Sequence, residues 1–310
     1  MKKPPRRRER CILGIDVGGT NIRAGLFSPR LGRVGRVLST PTQASWGGSH
    51  SLARVVDLAR QAVEEGRTAG CSVSRVGIGI PELIGARGEI QSHCALPWRA
   101  TQVRTRLAQF GPVTLTSDVR AAALAEARVG AGRDIQNFLY ITVGTGVACT
   151  LVIDGKPYGG AHGHAISFAS GPTVAVKAGG NTRYRALEAR VSGPALVRVA
   201  RTRGLKLPDA AAVCRLALKG PGIAREVVDA AATELAVHVA ILANALDPAL
   251  ILLGGGLGSA PGRYWTTFRS ALPRFTWGTY ARRIRVRRAQ LGGRVGVVGA
   301  ALSALEAHGE

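Results

Sequence analysis

A strand, a glycine-centred turn and a second strand occur twice in this chain, about 125 residues apart. The first turn is Asp16-Val17-Gly18-Gly19-Thr20, and the second is Val143-Gly144-Thr145-Gly146. Each turn lies between two apolar runs, a pattern that predicts a β-hairpin. Glycine turns rich in backbone N–H groups, with a carboxylate and hydroxyls beside them, can bind a polyphosphate and its metal ion. The repeat therefore predicts a duplicated nucleotide-binding fold that uses ATP.

The remaining periodicity predicts an α/β protein with two lobes and a cleft. Further helices are predicted at 51–65, 101–110, 117–127, 186–203, 208–219, 222–246 and from about 297, and further strands at 73–80, 112–116, 249–253 and 282–288. Residues 1–10 are rich in Pro and Arg and are predicted to form a disordered basic tail.

Composition limits the classes of protein that the chain can belong to. The longest apolar helical stretch, at 235–246, is too short to span a membrane. The five cysteines are scattered without metal-ligand or redox spacing, which favours a reducing, cytoplasmic location.

The net charge of +23 comes almost entirely from arginine. Arginines at 283, 285 and 287 alternate with Ile284 and Val286, as on a strand with one solvated face. A polyanion surface is the alternative interpretation. We favour the solvated face and do not expect nucleic acid as a partner.

Motifs along residues 11–302 resemble those of the ROK family of sugar kinases, in the actin-like ATPase superfamily. They occur in the family's order: Asp16–Thr20, Gly77-Ile78-Gly79-Ile80-Pro81, Ser117-Asp118, Gly144-Thr145-Gly146, Gly160-Ala161-His162-Gly163, Leu187-Glu188 with Ser192-Gly193, Asp247-Pro248 with Gly254-Gly255-Gly256, and Gly299-Ala300-Ala301.

The resemblance implies a two-lobed actin-like ATPase (ribonuclease H-like) fold, with ATP in the interlobe cleft and the last helix in the N-terminal lobe. It implies an N-terminal lobe of residues 11–117 and 297–310 and a C-terminal lobe of residues 118–296. By the same resemblance, Asp118 is the catalytic base and Asp16 binds Mg²⁺ directly or through water. The implied ATP-binding residues are Asp16, Gly18, Gly19, Thr20, Arg23, Gly144, Thr145, Gly146, Gly254, Gly255 and Gly256. The implied sugar-binding residues are Glu82, Ser117, Asp118, His162, Ser167, Ser170 and Glu188.

Departures from the family pattern cluster at the sugar-binding positions. Ser117 stands where the family has Asn, Ser167 where it has Glu, Ser170 where it has His, and Glu82 where it commonly has Gly. The cysteine-rich zinc motif is missing between residues 171 and 187, so we expect no structural zinc. His162 and His164 lack further ligands of suitable spacing and are expected to be polar loop residues.

These replacements favour an altered acceptor for an active kinase. A carboxylate at Glu82 could pair with an ammonium group, which points to an amino sugar such as kanosamine, phosphorylated at its 6-hydroxyl, as in antibiotic biosynthesis. A surface carboxylate is the alternative for Glu82, and a helix N-cap is the alternative for Asp118.

Two other functions stay open: a glucokinase of ordinary specificity, and a non-catalytic sugar-sensing regulator. Such regulators carry an N-terminal helix-turn-helix domain, for which ten residues before the first strand are too few. The resemblance also allows a homodimer.

Overall fold

The computed structural model describes residues 9–172, 174–178, 181–279 and 281–307. The strands are β1 Glu9–Val17, β2 Asn21–Phe27, β3 Arg33–Pro41, β4 Cys71–Ile80, β5 Val113–Ser117, β6 Phe138–Val143, β7 Val147–Ile153, β8 Lys156–Pro157, β9 Val174–Ala178, β10 Asn181–Arg185, β11 Leu250–Gly254 and β12 Arg285–Arg288. The helices are α1 Gly48–Thr68, α2 Ala100–Leu107, α3 Asp118–Val129, α4 Glu188–Val191, α5 Gly193–Thr202, α6 Ala210–Ala217, α7 Ile223–Leu246, α8 Gly255–Gly258, α9 Arg263–Ala271 and α10 Val295–Glu306. The α/β character predicted from the sequence is confirmed.

The chain forms two compact units, each around its own five-stranded sheet. The first unit contains the described residues up to 126, together with 157–165 and those from 294 onward, and the second contains 127–156 and the described part of 166–293. Most of the predicted tail lies outside the described residues, but Glu9 and Arg10 belong to β1. The sequence predicts lobe boundaries between residues 117 and 118 and between 296 and 297. The units of the structure instead have these two boundaries between 126 and 127 and between 293 and 294, and the segment 157–165 also belongs to the first unit.

The two sheets share one strand arrangement. The first has the order β3-β2-β1-β4-β5, and the second, read from its β8 edge, has the order β8-β7-β6-β11-β12. In each sheet a central antiparallel hairpin, β1–β2 or β6–β7, is followed by two strands that pair in parallel. This matches the duplication that the repeated glycine turn predicts.

Helix α10 packs closely on the first sheet because glycines face it. A Cβ atom at Gly14 of β1 would overlap the carbonyl oxygen of Val297, and one at Gly77 of β4 would overlap the carbonyl oxygen of Ala300. Apolar side chains of β1, β4, α1 and α2 form the buried core of this unit, with Trp98 fully enclosed. The last helix therefore belongs to the first unit, at a backbone separation that side chains on the strands would not allow.

Two predicted elements differ in the structure. The helix predicted at 186–203 is divided into α4 and α5 by Ser192, which is extended and whose hydroxyl accepts a hydrogen bond from the Ala195 N–H. Pro194 lies in the first turn of α5, where its missing N–H costs nothing. The strand predicted at 282–288 is shorter, because Ala281–Arg283 forms a 3₁₀ turn before β12.

The cysteines differ from the reduced set that the sequence predicts. Cys11 in β1 and Cys71 in β4, on neighbouring strands, form a disulfide with Cα atoms 6.1 Å apart. Within the described ranges, no helix is both long enough and apolar enough to cross a lipid bilayer.

Candidate functional site

The first glycine turn is supported from one side by Thr42. Gly18 donates its N–H to the carbonyl of Asn21 at 2.9 Å and so closes the turn. Thr42 is fully buried, and its hydroxyl donates to the Gly18 carbonyl at 2.6 Å while its N–H donates to the Thr20 carbonyl at 2.8 Å. Gly19 is exposed, and a Cβ there would meet nothing within 4 Å. The turn thus presents open backbone to a ligand.

Asp16 lies at the end of β1, directly before this turn. Its cross-strand partner is Arg23, whose Nη1 lies 3.7 Å from Asp16 Oδ2. The carboxyl group rests against Gly296 in the first turn of α10, where a Cβ atom would overlap it. Burial raises the pKa of Asp16 to about 6, although the charge of Arg23 acts to lower it.

Asp118 is the first residue of α3, immediately after β5. Its Oδ1 accepts a hydrogen bond from the Val119 N–H at 2.7 Å. Burial, and then the nearby negative charges of Asp16 and Glu82, raise the pKa of Asp118 to about 7. A carboxylate with a pKa near neutrality is suited to accept a proton in a reaction at physiological pH.

Glu82 has a different role from the one that the sequence predicts. Its side chain is 5% exposed, so it is not a surface carboxylate. Oε1 accepts the N–H groups of Ala95 and Leu96, each at 2.7 Å, and Oε2 accepts the Cys94 N–H at 3.0 Å and the Ser92 hydroxyl. These four donors fill the acceptor positions of a carboxylate. Glu82 therefore holds the 92–96 loop and has no position left for a ligand ammonium group, which corrects the prediction.

Arg120 contacts Ser117 and is a residue that the motif comparison missed. Its Nε donates to the Ser117 hydroxyl at 3.1 Å, and its Nη2 donates to the carbonyl of Ile84. Burial lowers the pKa of the Arg120 guanidinium. The sequence could have indicated Arg120, because it lies two residues after Asp118. The first turn of a helix that begins at a strand end stays close to that end, so Arg120 remains near Ser117.

His162 lies on the segment 157–165 and is exposed. On the same segment, His164 Nε2 is hydrogen-bonded to Gln91 Oε1. The first unit therefore contains nine predicted site residues: Asp16, Arg23, Glu82, Ser117, Asp118, His162 and the three residues of the turn, Gly18, Gly19 and Thr20.

The second glycine turn is built in a similar way within the second unit. Gly144 donates its N–H to the Gly146 carbonyl at 2.9 Å, and its own carbonyl accepts the Gly193 N–H at 2.8 Å. Glu188 Oε2 accepts the Val147 N–H at 2.8 Å. The start of α5 and the carboxylate of α4 thus fix both ends of this turn.

The three-glycine segment after β11 adjoins the second turn. Gly255 has a φ of +78°, and a Cβ there would overlap the Val143 carbonyl oxygen. A Cβ at Gly144 would come within 3.7 Å of the Gly256 backbone nitrogen. At position 255 only glycine permits this approach between two backbones. The predicted phosphate turn and the predicted nucleoside segment are therefore neighbours.

Ser167 and Ser170 are exposed on the loop between β8 and β9. The intervening Ala169 is buried, and its carbonyl accepts the Glu188 N–H at 3.1 Å. This hydrogen bond joins the loop that carries the two serines to the start of α4, which carries Glu188. One oxygen of Glu188 already holds Val147, so the other oxygen is the one that a ligand could reach.

The donor set suits magnesium at Asp16. Carboxylate oxygens are the ligands that Mg²⁺ prefers, and the raised pKa of Asp16 is the mark of a buried carboxyl group whose charge a cation would stabilise. Over the described ranges, no group of three or more His, Cys, Asp and Glu side chains has the arrangement of a metal site. A magnesium ion here would depend on nucleotide phosphates and water for its remaining ligands.

The sequence profile of the ROK family matches residues 12–307. The chain belongs to the ROK family. The solved glucokinase of this family from Streptomyces griseus, in complex with glucose and AMPPNP, superposes with a TM-score of 0.78 at 27% identity, over 95% of this chain and 99% of that one. The actin-like ATPase fold expected from the resemblance is confirmed.

Curated relatives of this ROK protein include kinases with different acceptors. It is 31% identical to the glucokinase of Streptomyces coelicolor, over 93% of this chain and 96% of the relative. It is also 31% identical to the kanosamine kinase of Amycolatopsis mediterranei, over 80% of both chains. The chain spans about half the length of another relative, the bifunctional enzyme NanE/NanK of Brucella melitensis, to which it is 31% identical over 94% of this chain.

Proposed function

We propose that this ROK protein is an ATP-dependent sugar kinase that transfers the γ-phosphoryl group to the 6-hydroxyl of a hexose. The observation that carries the proposal is Asp118, a half-buried carboxylate at the junction of β5 and α3, whose pKa desolvation raises to about 7. The names of the relatives, which include a glucokinase and a kanosamine kinase, support the same reaction class.

In the proposed reaction Asp118 accepts the proton of the attacking hydroxyl. The hydroxyl oxygen forms a bond to the γ-phosphorus, the bond from that phosphorus to the β,γ-bridging oxygen breaks, and ADP leaves. Phosphoryl transfer depends mainly on positioning and charge neutralisation. The protein therefore needs only one correctly placed general base, with a pKa near the working pH, to accept the proton of the hydroxyl.

Asp16 and Arg23 occupy the proposed phosphate side of the first unit. Asp16 would hold Mg²⁺, which supplies charge neutralisation to the phosphate oxygens. Arg23 keeps Asp16 partly ionised, and its guanidinium is available to phosphate because the ion pair, at 3.7 Å, is loose. The open turn at Gly18–Thr20 offers N–H groups to anionic oxygens.

The second unit supplies a second phosphate turn and the nucleoside contact in this proposal. The turn at Gly144–Gly146 is fixed from both ends, so its N–H groups are preorganised. At Gly256, in the adjacent three-glycine segment, a Cβ would meet nothing within 4 Å, so the backbone there is open to close approach of a nucleoside.

The identity of the acceptor is the finer part of the proposal. The amino sugar predicted from the sequence was kanosamine, with Glu82 as the ammonium ligand, and the hydrogen bonds of Glu82 remove that argument. The replacements at Ser117, Ser167 and Ser170 and the kanosamine kinase relative are what still supports an altered acceptor. A glucokinase of ordinary specificity has equal support from sequence identity. The proposed kinase would also depend on Mg²⁺ and form a homodimer.

The test is ATP-dependent phosphorylation of glucose, glucosamine, mannosamine, N-acetylmannosamine and kanosamine, with Asp118→Asn as the inactive variant. We expect turnover of at least one hexose, a product phosphorylated at O6 by NMR, and loss of at least about 10³-fold in kcat for Asp118→Asn with ATP affinity retained. Near-normal turnover by Asp118→Asn would refute the base assignment. ATP binding without turnover of any sugar would favour a regulatory protein.

A further inference from the structure

Arg120 joins three segments of the first unit that the sequence associates with the sugar. Its guanidinium bonds to Ser117 at the end of β5 and to Ile84 in the loop after Pro81. Its Nη1 lies 3.1 Å from the place where a Cβ of Gly159 would be, so it also borders the Gly159–His162 stretch.

The guanidinium has hydrogen-bond capacity left for a ligand. Arginine carries five N–H donors, and the two bonds to Ser117 and Ile84 use only two of them. Within the described part of the chain, Nη1 has no oxygen acceptor at hydrogen-bond distance. Burial lowers the pKa of Arg120, but a guanidinium starts so far above neutrality that it stays charged.

The nearby carboxylate that could bind a ligand ammonium group already has all its acceptor positions filled. Glu82 lies in the same loop as Ile84, and its carboxylate is filled by four donors from residues 92–96. The loop after Pro81 therefore contacts a cation with free donors, Arg120, while its own carboxylate, Glu82, has no acceptor position left for an ammonium group.

We propose that Arg120 determines acceptor specificity in this kinase by donating hydrogen bonds to an oxygen of a neutral or anionic sugar and disfavouring a sugar with a free ammonium group. This inference rests on the proposed function, and it deepens it by naming the class of acceptor. Two like unit charges about 6 Å apart in a partly hydrated site weaken binding by about tenfold, which sets the expected selectivity.

The experiment compares kcat/KM for glucose with that for glucosamine and for kanosamine in the wild type and in Arg120→Gln. We expect the wild type to prefer glucose by about tenfold or more over at least one amino sugar. In Arg120→Gln that ratio should narrow by about tenfold, mainly through KM, because the repulsion is removed while Asp118 and the other carboxylates are unchanged. Arg120→Lys keeps the charge and should keep the ratio.

The matched control is Arg104→Gln, another half-buried arginine of the first unit. Its guanidinium donates to the backbone carbonyls of Val113 at 2.9 Å and Gly88 at 3.1 Å, so its loss tests a purely structural role. We expect Arg104→Gln to lower the melting temperature without changing the ratio of kcat/KM between sugars.

Two results would overturn the inference. An active wild type whose selectivity ratio is the same in folded Arg120→Gln removes Arg120 from specificity while leaving the kinase proposal intact. If Arg120→Gln does not fold, Arg120→Lys provides the test. Loss of the preference for glucose in Arg120→Lys, which keeps the positive charge, would also remove the charge of Arg120 from specificity. Absence of turnover by the wild type with every sugar refutes the proposed function itself.

Discussion

Replacing Glu82 by Gln tests whether this carboxylate is a structural clamp. The carboxylate accepts four hydrogen bonds, two at each oxygen, from Ser92, Cys94, Ala95 and Leu96. An amide keeps one acceptor oxygen and directs its NH₂ group at the two donors that the other oxygen held. The Ser92 hydroxyl can turn to accept, so the Cys94 N–H is left without its acceptor and two charge-assisted bonds are lost.

The expected cost follows from those losses. Hydrogen bonds to charged groups contribute about 1.5–3 kcal/mol each, so we expect the free energy of unfolding to fall by about 3 kcal/mol or more. For a domain of this size each kcal/mol shifts the melting temperature by roughly 2–4 °C, which gives a decrease of roughly 10 °C in thermal unfolding. Turnover of glucose and of amino sugars should decrease by the same factor.

Glu89→Gln is the matched control, because Glu89 lies in the same loop and bonds to the Arg87 N–H and the Gln91 side chain from a partly exposed position. Its melting temperature should stay close to that of the wild type. A Glu82→Gln protein as stable as Glu89→Gln, with a selective loss of amino-sugar turnover, would refute the clamp and restore Glu82 as an ammonium ligand.

Three further predictions concern the first unit. The pKa values of Asp118 and Asp16 are raised from an ordinary 3.8 to about 7 and about 6. Between about pH 4 and 7 the folded protein therefore holds protons that the unfolded chain has released, so its free energy of unfolding should fall as pH rises through this window. The kcat of the proposed kinase reaction should instead rise towards a plateau above about pH 7, as Asp118 becomes able to accept a proton. Gly296→Ala should gain up to about 1 kcal/mol of helix propensity but displace the Asp16 carboxyl group, so that kcat falls by about 10²-fold while thermal stability changes little. Thr42→Val leaves the Gly18 carbonyl without its hydroxyl donor and should raise the KM for ATP several-fold and lower the unfolding free energy by about 1–2 kcal/mol, measured by nucleotide titration and urea unfolding.

Each of these has a comparison that could contradict it. Asp118→Asn should be more stable than the wild type at pH 8 and lose that advantage towards pH 4; a constant difference would contradict the pKa assignment. Gly293→Ala, where a Cβ meets nothing within 4 Å, should keep full kcat. Equal kcat in Gly296→Ala and Gly293→Ala would show that Asp16 tolerates displacement. An unchanged KM for ATP in Thr42→Val would remove Thr42 from support of the turn.

Features encoded within short stretches of sequence were predictable. The two hairpins follow from apolar runs of period two interrupted by glycine, because the turn and both strands lie within about twenty consecutive residues. The family and its fold followed from motifs in a fixed order, and the repeat predicted the shared strand order of the two sheets. The positions of Asp16 and Asp118 at strand ends were likewise given by local pattern.

Features that depend on distant partners required the tertiary structure. Whether Glu82 is open to a ligand depends on where the 92–96 backbone folds, and no local pattern states that three successive N–H groups point at one carboxylate. The helix break at Ser192 had local signals in the Ser192 cap and in Pro194, whereas the hydrogen bond from the Gly193 N–H to the Gly144 carbonyl, which holds the start of α5 at the second turn, depends on tertiary structure.

The sequence by itself determined three things about this protein: a repeated strand–glycine turn–strand unit, two carboxylates at strand ends, and membership of the ROK family. Tertiary structure decided which charged groups remain available to a ligand, because burial and hydrogen bonds from distant segments occupy Glu82 and leave donors free on Arg120. It also decided how tightly Asp16 is held, since only glycine at position 296, about 280 residues away in the chain, leaves room for its carboxyl group. Local sequence sets backbone geometry, whereas desolvation and hydrogen-bond saturation are properties of the packed neighbourhood.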